Sequence, residues 1–303
     1  MEGAEELAFY AIFDGHGGRA VADFAASRLP SLVAERVRAA SDSPTVKEAL
    51  RTAFKECDKE TLDQAAGEGW DDGCCVISLL IDRRCTPARA YVANLGDSRA
   101  YACVVPPESI KIRAVALSKD HNAVDPGERK RIEAAGGRVE GGRVNGMLEV
   151  SRSLGDRKLK AMLKGQGLIA SPDVTSFVIG PEQRFVLLAC DGVWKVYSGL
   201  QCVETLHEAL PKMDARRREL AEQLDDPVAF AGLTKETHAT LVRERELANE
   251  EGCLRKLLHE AVHVRHAKDN CTMLLVRLPE ALSPSLGKVD RGIAVTSGVQ
   301  TSS

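Results

Sequence analysis

The chain has 303 residues and a formal net charge of −3, enough length to bury a sizeable core without staples and too little charge to gather nucleic acid or an anionic membrane surface. No apolar run approaches the roughly 20 residues of a membrane-crossing helix, and the acidic first ten residues lack the pattern of an export signal. The nine cysteines, odd in number and without a C-x-x-C pair, read as thiols of a reducing compartment, so a cytoplasmic or nuclear location is expected.

The first predicted strand, LAFYAIF (7–13), runs into Asp14-Gly15-His16-Gly17-Gly18. Helices are predicted at about 19–40 and 45–66, the second with Thr45 as N-cap and a buried stripe of Val46, Leu50, Phe54 and Cys57. Short strands follow at CCVISLLI (74–81), ARAYVANLG (88–96) and SRAYACVV (98–105), the last two joined by Asn94–Ser98 read as a hairpin turn. After a helix at 126–136 come strands TSFVIG (175–180) and RFVLLAC (184–190), then a helix at 199–210 capped by Ser198. The densely charged stretch at about 212–250 reads as a solvated helical insertion, followed by a helix at 252–266 and the strand NCTMLLVRL (270–278). Residues 282–303, rich in Ser, Gly, Thr and Val without a period, are expected to be a disordered tail. The order lacks regular βαβ alternation and points to an α+β fold of antiparallel sheets covered by helices.

Carboxylates recur at the ends of these strands. Asp14-Gly15 follows the first, Asp191-Gly192 follows RFVLLAC, Asp269 precedes the last, and Asp97 sits in the turn at 94–98. A buried strand fixes its terminal residue, and glycine lets an ion approach the backbone. Oxygen donors suit hard divalent ions such as Mg²⁺ and Mn²⁺. His16, two residues beyond Asp14, is placed to give a proton to a leaving oxygen. Any one Asp-Gly pair taken alone is an ordinary turn. A competing motif, His259-Glu260-Ala261-Val262-His263, matches the H-E-x-x-H zinc signature on a predicted helix and offers a metalloprotease reading.

The stretches FDGHGG (13–18), DGCCV (72–76), ANLGDSRAY (93–101), LSKDHN (117–122), GRVNGMLEVSRSLGD (142–156), LLACDGVWKV (187–196) and KDNCTMLLVRL (268–278) together resemble, in order and spacing, the metal-dependent type-2C protein serine/threonine phosphatases. The resemblance covers roughly residues 7–278 and implies a four-layer α-β-β-α sandwich, here a catalytic domain over 1–281. It implies hydrolysis of phosphoserine and phosphothreonine in phosphorylated protein substrates; a monomer is expected, and the charge and hydropathy of the chain predict no nucleic-acid or membrane partner. Carried over by likeness, Asp14 bridges two Mg²⁺ or Mn²⁺ ions and the Gly15 carbonyl binds one of them. Asp191 and Asp269 complete the shell, Asp97 with Asp191 holds a weaker third ion, and His16 is the general acid. Arg143, Asn145, Ser151, Arg152 and Asp156 organise the neighbouring loop and flap by the same likeness, and Lys158, Lys160 and Lys164 fall in a solvated basic flap.

The chain also departs from the pattern. Relatives carry further strands upstream, with an arginine that grips phosphate and an acidic pair, whereas thirteen residues precede Asp14 here. Glu2, Glu5 and Glu6 do not reproduce that spacing, so the expectation is an N-terminally short domain lacking the family's first strands. An artefactual start is favoured over a genuine short form, and a pseudophosphatase that binds without turnover is the alternative. Lys195 replaces an acid that supports the third ion in many relatives, and Cys74-Cys75 replaces a Ser/Thr pair on a strand.

Overall fold

Strand β2 (Gly73–Asp82) is buried at every position because both its faces are covered. A computed structural model of the protein describes residues 6–108, 111–225, 235–247, 249–278 and 292–297. In it β2 is the centre of one antiparallel sheet, between β1 (Leu7–His16) and β3 (Arg89–Leu95); β9 (Asp173–Val178) flanks β3, and the short β8 (Leu154–Gly155) also pairs with β2. The second sheet runs β12 (Gly292–Ser297), β11 (Cys271–Arg277), β10 (Gln183–Ala189), β4 (Arg99–Val104), β5 (Arg113–Ala116), again antiparallel. A small pair, β6 (Val139–Glu140) and β7 (Arg143–Val144), stands apart.

The strand period of two sorts side chains between layers. On β2, Ile77, Leu79 and Ile81 pack toward the other sheet with Ile12, Val92, Val186 and Leu188. Cys74, Val76 and Leu80 of the same strand pack the other way. There they meet Val21, Leu29 and Leu32 of α1 (Ala20–Arg38) and Leu50 and Phe54 of α2 (Ser43–Glu68). The outer face of the second sheet is covered by α6 (Gly199–Asp225), through Val203 and Leu206, and by α8 (Glu250–His263), through Leu254 and Leu257. The layers are therefore helix, sheet, sheet, helix. A third apolar cluster of Ile132, Val144, Leu159, Leu163 and Leu168 holds the flap, with α3 (Pro126–Ala134) and α4 (Arg157–Met162).

Several expectations change. Asp42 rather than Thr45 caps α2: its side chain accepts the Thr45 N–H at 2.9 Å while Thr45 Oγ1 accepts the Asp42 N–H, a reciprocal capping box. Ser198 does cap α6, its hydroxyl accepting from Gln201 N at 3.2 Å. That helix does not stop near 210 but runs through Pro211 to Asp225, so the charged stretch begins as its continuation and resumes in α7 (Lys235–Leu247). Residues 292–297, assigned by composition to a disordered tail, form β12. Their β-branched sequence suits a strand, and the free edge of β11 supplies its hydrogen-bond partners. The rest of 282–303 lies outside the described residues. Among the described residues no helix is long and apolar enough to cross a membrane.

The turn Asn94–Ser98 is not a hairpin. It joins β3 of one sheet to β4 of the other, strands that do not pair. Tertiary bonds explain this: Gly96 O accepts from His121 N at 3.0 Å, and Gly96 N donates to His121 Nδ1 at 3.1 Å. Asn94 Nδ2 donates to Lys119 O at 2.8 Å. Gly96, at φ 111°, passes so close to Cys75 that a Cβ there would lie 2.3 Å from its Sγ. The chain is stapled to the 119–121 segment and crosses between sheets, carrying Asp97 to their common end.

Candidate functional site

On β1 alternate residues Ala8, Tyr10 and Ile12 face the space between the sheets. Asp14 and His16 continue that row one pleat at a time. The apolar core thus ends in a carboxylate and an imidazole. At the same end β10 stops and Asp191 opens the short helix α5 (Asp191–Trp194), whose Trp194 Nε1 donates back to Ala189 O at 2.7 Å. Gly192 is required here by space, since a Cβ would stand 2.3 Å from Asn270 O.

Ligating atoms of Asp14, Cys190 and Asp191 all lie within 4.8 Å of one another. Asp97 and Asp269 are not members of that tight group, but their charges reach it. Burial raises the Asp14 carboxyl to about 7, helped by the negative charges of Asp191, Asp97 and Asp269 and opposed by His16. Asp97 is pushed up to about 6, by burial first and then by Asp191 and Asp120. These are acids short of a countercharge. Hard oxygen donors with an excess of negative charge fit Mg²⁺ or Mn²⁺. The nearby sulfur does not compete: burial first, then the Asp14 charge, pushes the Cys190 thiol up to about 12. It donates to Asn270 O at 3.2 Å and accepts from Thr272 N at 3.1 Å.

One internal cation does reach the acids. Lys195 Nζ lies 2.5 Å from Asp191 Oδ2 and 3.3 Å from Asp269 Oδ2. Burial lowers the lysine pKa, but the bonds to Asp191 and Asp269 prevail and raise it. Asp120, in LSKDHN, was not singled out from sequence. It lines the cleft with Asp97 and Asp191 and is held by Arg99 through two bonds of 2.7 and 2.8 Å.

His16 Nε2 lies 2.9 Å from Asp156 Oδ2. Burial pulls the His16 pKa down, yet the bond and charge of Asp156, with Asp14 and Asp97, raise it overall. Asp156, expected among the loop residues, therefore touches the site directly. The others do organise the flap: Arg152 donates to Glu128 Oε1 at 2.7 Å and to Asp173 Oδ1 at 2.8 Å, Ser151 donates to Glu128, Asn145 accepts from Arg138 N at 3.0 Å, and Arg143 donates to Met147 O at 3.1 Å. Lys160, expected in a solvated flap, is buried and paired with Asp58 at 2.6 Å. Lys158 pairs with Asp71 at 2.5 Å.

The H-E-x-x-H residues lie on α8, which ends six residues before Asp269. His259 and His263 are exposed, with ring centroids 4.5 Å apart. Glu260 is engaged by Arg265 Nε at 2.9 Å. Among the described residues neither histidine belongs to a group of three metal-ligating side chains.

The family model described as protein phosphatase 2C matches residues 1–237. The chain is 36% identical over 278 residues to the integrin-linked kinase-associated serine/threonine phosphatase 2C of Bos taurus, covering 90% of this chain and 66% of that protein. It is 32% identical over 281 residues to the probable protein phosphatase 2C 67 of Oryza sativa subsp. japonica, covering 89% and 65%. The chain thus spans just under two thirds of the length of these curated relatives. A solved C. elegans sex-determining protein aligns over 91% of this chain and 57% of its own, with TM-score 0.63 and 25% identity. A phosphatase from Toxoplasma gondii shares the fold over 97% and 89%, with TM-score 0.66 and 21% identity.

Proposed function

The chain belongs to the protein phosphatase 2C family, and from that premise we propose that it hydrolyses phosphoserine and phosphothreonine in protein substrates. The observation that carries the reading is the convergence of Asp14 and Asp191, with Asp97 and Asp269 near enough to add their charge to the burial that raises Asp14. In this reading Asp14, Asp191, Asp269 and the Gly15 carbonyl would hold two Mg²⁺ or Mn²⁺ ions, and Asp97 with Asp191 would hold a weaker third. Such ions, when bound, acidify a water and neutralise phosphoryl charge.

The chain's own residues supply the rest. Burial and the neighbouring acids favour a proton on Asp14, and an ion held there would displace it. Cys190 keeps its proton and remains a packing group. His16 holds a proton beside the acids and gives it to the departing serine or threonine oxygen. The nine unpaired cysteines support a cytoplasmic or nuclear site of action.

The test is turnover of a phosphothreonine peptide by residues 1–303, titrated with Mn²⁺ and then Mg²⁺. Saturable activity abolished by a chelator is expected, and activity that persists in chelator overturns the reading. One observation favours a second reading, a phosphoprotein-binding module without turnover: the Lys195 ammonium lies on both Asp191 and Asp269. A folded protein that binds the phosphopeptide and leaves it intact at saturating Mn²⁺ would support that alternative.

A further inference from the structure

A buried chain of polar groups starts behind His16. Asp156 Oδ2 meets His16 Nε2 at 2.9 Å and accepts from Ser153 Oγ at 2.5 Å. The Ser153 carbonyl accepts from Lys160 Nζ at 2.9 Å, and the same ammonium donates to Asp58 Oδ1 at 2.6 Å. Asp58 Oδ1, on α2, also accepts the Gly155 N–H at 2.9 Å. Ser153 is fully buried, and Asp58, Asp156 and Lys160 are each at most 8% exposed. A carboxylate only accepts. The His16 nitrogen facing Asp156 is therefore the one that carries a hydrogen toward it.

The backbone is shaped for this contact. Asp156 sits at φ 52°, in the left-handed region, with its N–H donated to Asp72 O at 2.9 Å. Gly73 stands opposite His16 in the β1–β2 register. A Cβ on Gly73 would lie 2.1 Å from Asp156 Oδ2 and 2.4 Å from His16 Nε2. Gly73 is not at positive φ, so it is space rather than conformation that demands glycine. Any larger residue would occupy the volume of the His16–Asp156 bond.

We propose that Asp156 is the positioning residue for His16, with Gly73 keeping the space for their bond open. The proposal rests on the reading of His16 as the acid. With Nε2 committed to Asp156, Nδ1 delivers the proton. As water oxygen bonds to phosphorus, the bond from phosphorus to the serine or threonine oxygen breaks and leaves its electron pair on that oxygen. The Nδ1 proton passes to it, the water's surplus proton goes to solvent, and His16 is left neutral with its hydrogen on Nε2. Asp156 holds the ring through both states. The Lys160–Asp58 pair anchors the 153–156 turn to α2 and does not touch the ring.

The experiment compares two substrates and one spectrum. A phosphothreonine peptide has a leaving group that needs a proton, whereas p-nitrophenyl phosphate has one that leaves without it. Asp156→Asn preserves the left-handed backbone, which asparagine tolerates. It is expected to lower kcat on the peptide by roughly 10²-fold and on the aryl ester by less than about 5-fold, with KM unchanged. Gly73→Ala is expected to show the same selective loss and serves if Asp156→Asn does not fold. In the wild type, ¹⁵N spectra of labelled histidine, assigned with His16→Gln, should give neutral His16 as the Nε2–H tautomer.

An Nδ1–H tautomer in the wild type overturns the proposal without any variant. So does a selective loss in His16→Gln that neither Asp156→Asn nor Gly73→Ala shares, which leaves the acid reading standing. If His16→Gln slows both substrates equally, the acid reading fails and takes the proposal with it.

Discussion

Asp14 is half-buried and Glu128 buried, yet the chain treats the two carboxyls in opposite ways. Asp14 faces Asp191, Asp97 and Asp269, and burial with those charges raises it to about 7. Burial would raise Glu128 as well, but bonds from Arg152, Arg131 and Ser151 lower it to about 2. Two of those bonds are short and well formed, Arg152 Nη2 at 2.7 Å and Arg131 Nη2 at 2.8 Å. Burial by itself therefore does not mark a site. A carboxylate that holds the flap together is neutralised by the chain. One placed to take up a cation is left short of positive charge, at a cost in stability that the cation offsets.

The largest effect should come from Asp14→Asn. Turnover of the phosphothreonine peptide is expected to fall on the order of 10⁴-fold, while the urea midpoint of the metal-free protein holds or rises, because a repelled buried charge has gone. Mn²⁺ should raise the melting temperature of the wild type and leave this variant unmoved. A variant that keeps near wild-type turnover breaks the comparison at its catalytic end.

At the structural end, Glu128→Gln removes the buried carboxylate that Arg131 and Arg152 share and should cost about 3–5 kcal/mol in urea unfolding. The specific activity of its folded fraction should be unchanged. The pH dependence carries the same sign. Glu128 is lowered from 4.5 to about 2, so its contribution is complete above pH 4.5 and is lost as pH falls toward 2. That loss is about 3 kcal/mol, and acid unfolding of Glu128→Gln should lack it. Equal acid profiles for wild type and variant would show that Arg131 and Arg152 do not stabilise the flap through Glu128.

The smallest effect sharpens the contrast from within the site. Lys195 supplies the acids with a partial internal countercharge. Its side chain is 55% exposed, so the pairing is weak. Lys195→Ala should lower the Mn²⁺ concentration for half-maximal activation by about 10-fold, equivalent to about 1.4 kcal/mol. An unchanged midpoint would mean that the lysine swings clear when the ion enters.

The carboxylates Asp14, Asp191 and Asp269 were legible because each abuts a strand whose apolar pattern is strong, and a strand end is a local feature. Asp97 was legible as a residue, but its turn was misjudged. Nothing within Asn94–Ser98 reveals that His121 and Lys119 hold it away from a hairpin. The long α6 runs without a break from the expected helix at 199–210 into the charged stretch, two segments that composition separates. Lys160 looked like one more solvated lysine, because the Asp58 that pairs with it lies about a hundred residues away in sequence.

What the sequence determined by itself is most of the longer elements, the α+β class and the strand-end acids with their glycines. Periods of two and about 3.6, caps and turn residues act over a few neighbours and are written in consecutive letters. Only the tertiary structure decided which acids share a charge field, that Asp156 belongs to His16, and that Gly73 is empty to admit their bond. Those outcomes depend on distances of a few ångströms between segments far apart in sequence, such as Asp14 and Asp191, 177 residues apart. Electrostatic and steric terms vary steeply over that range, and no local pattern encodes them.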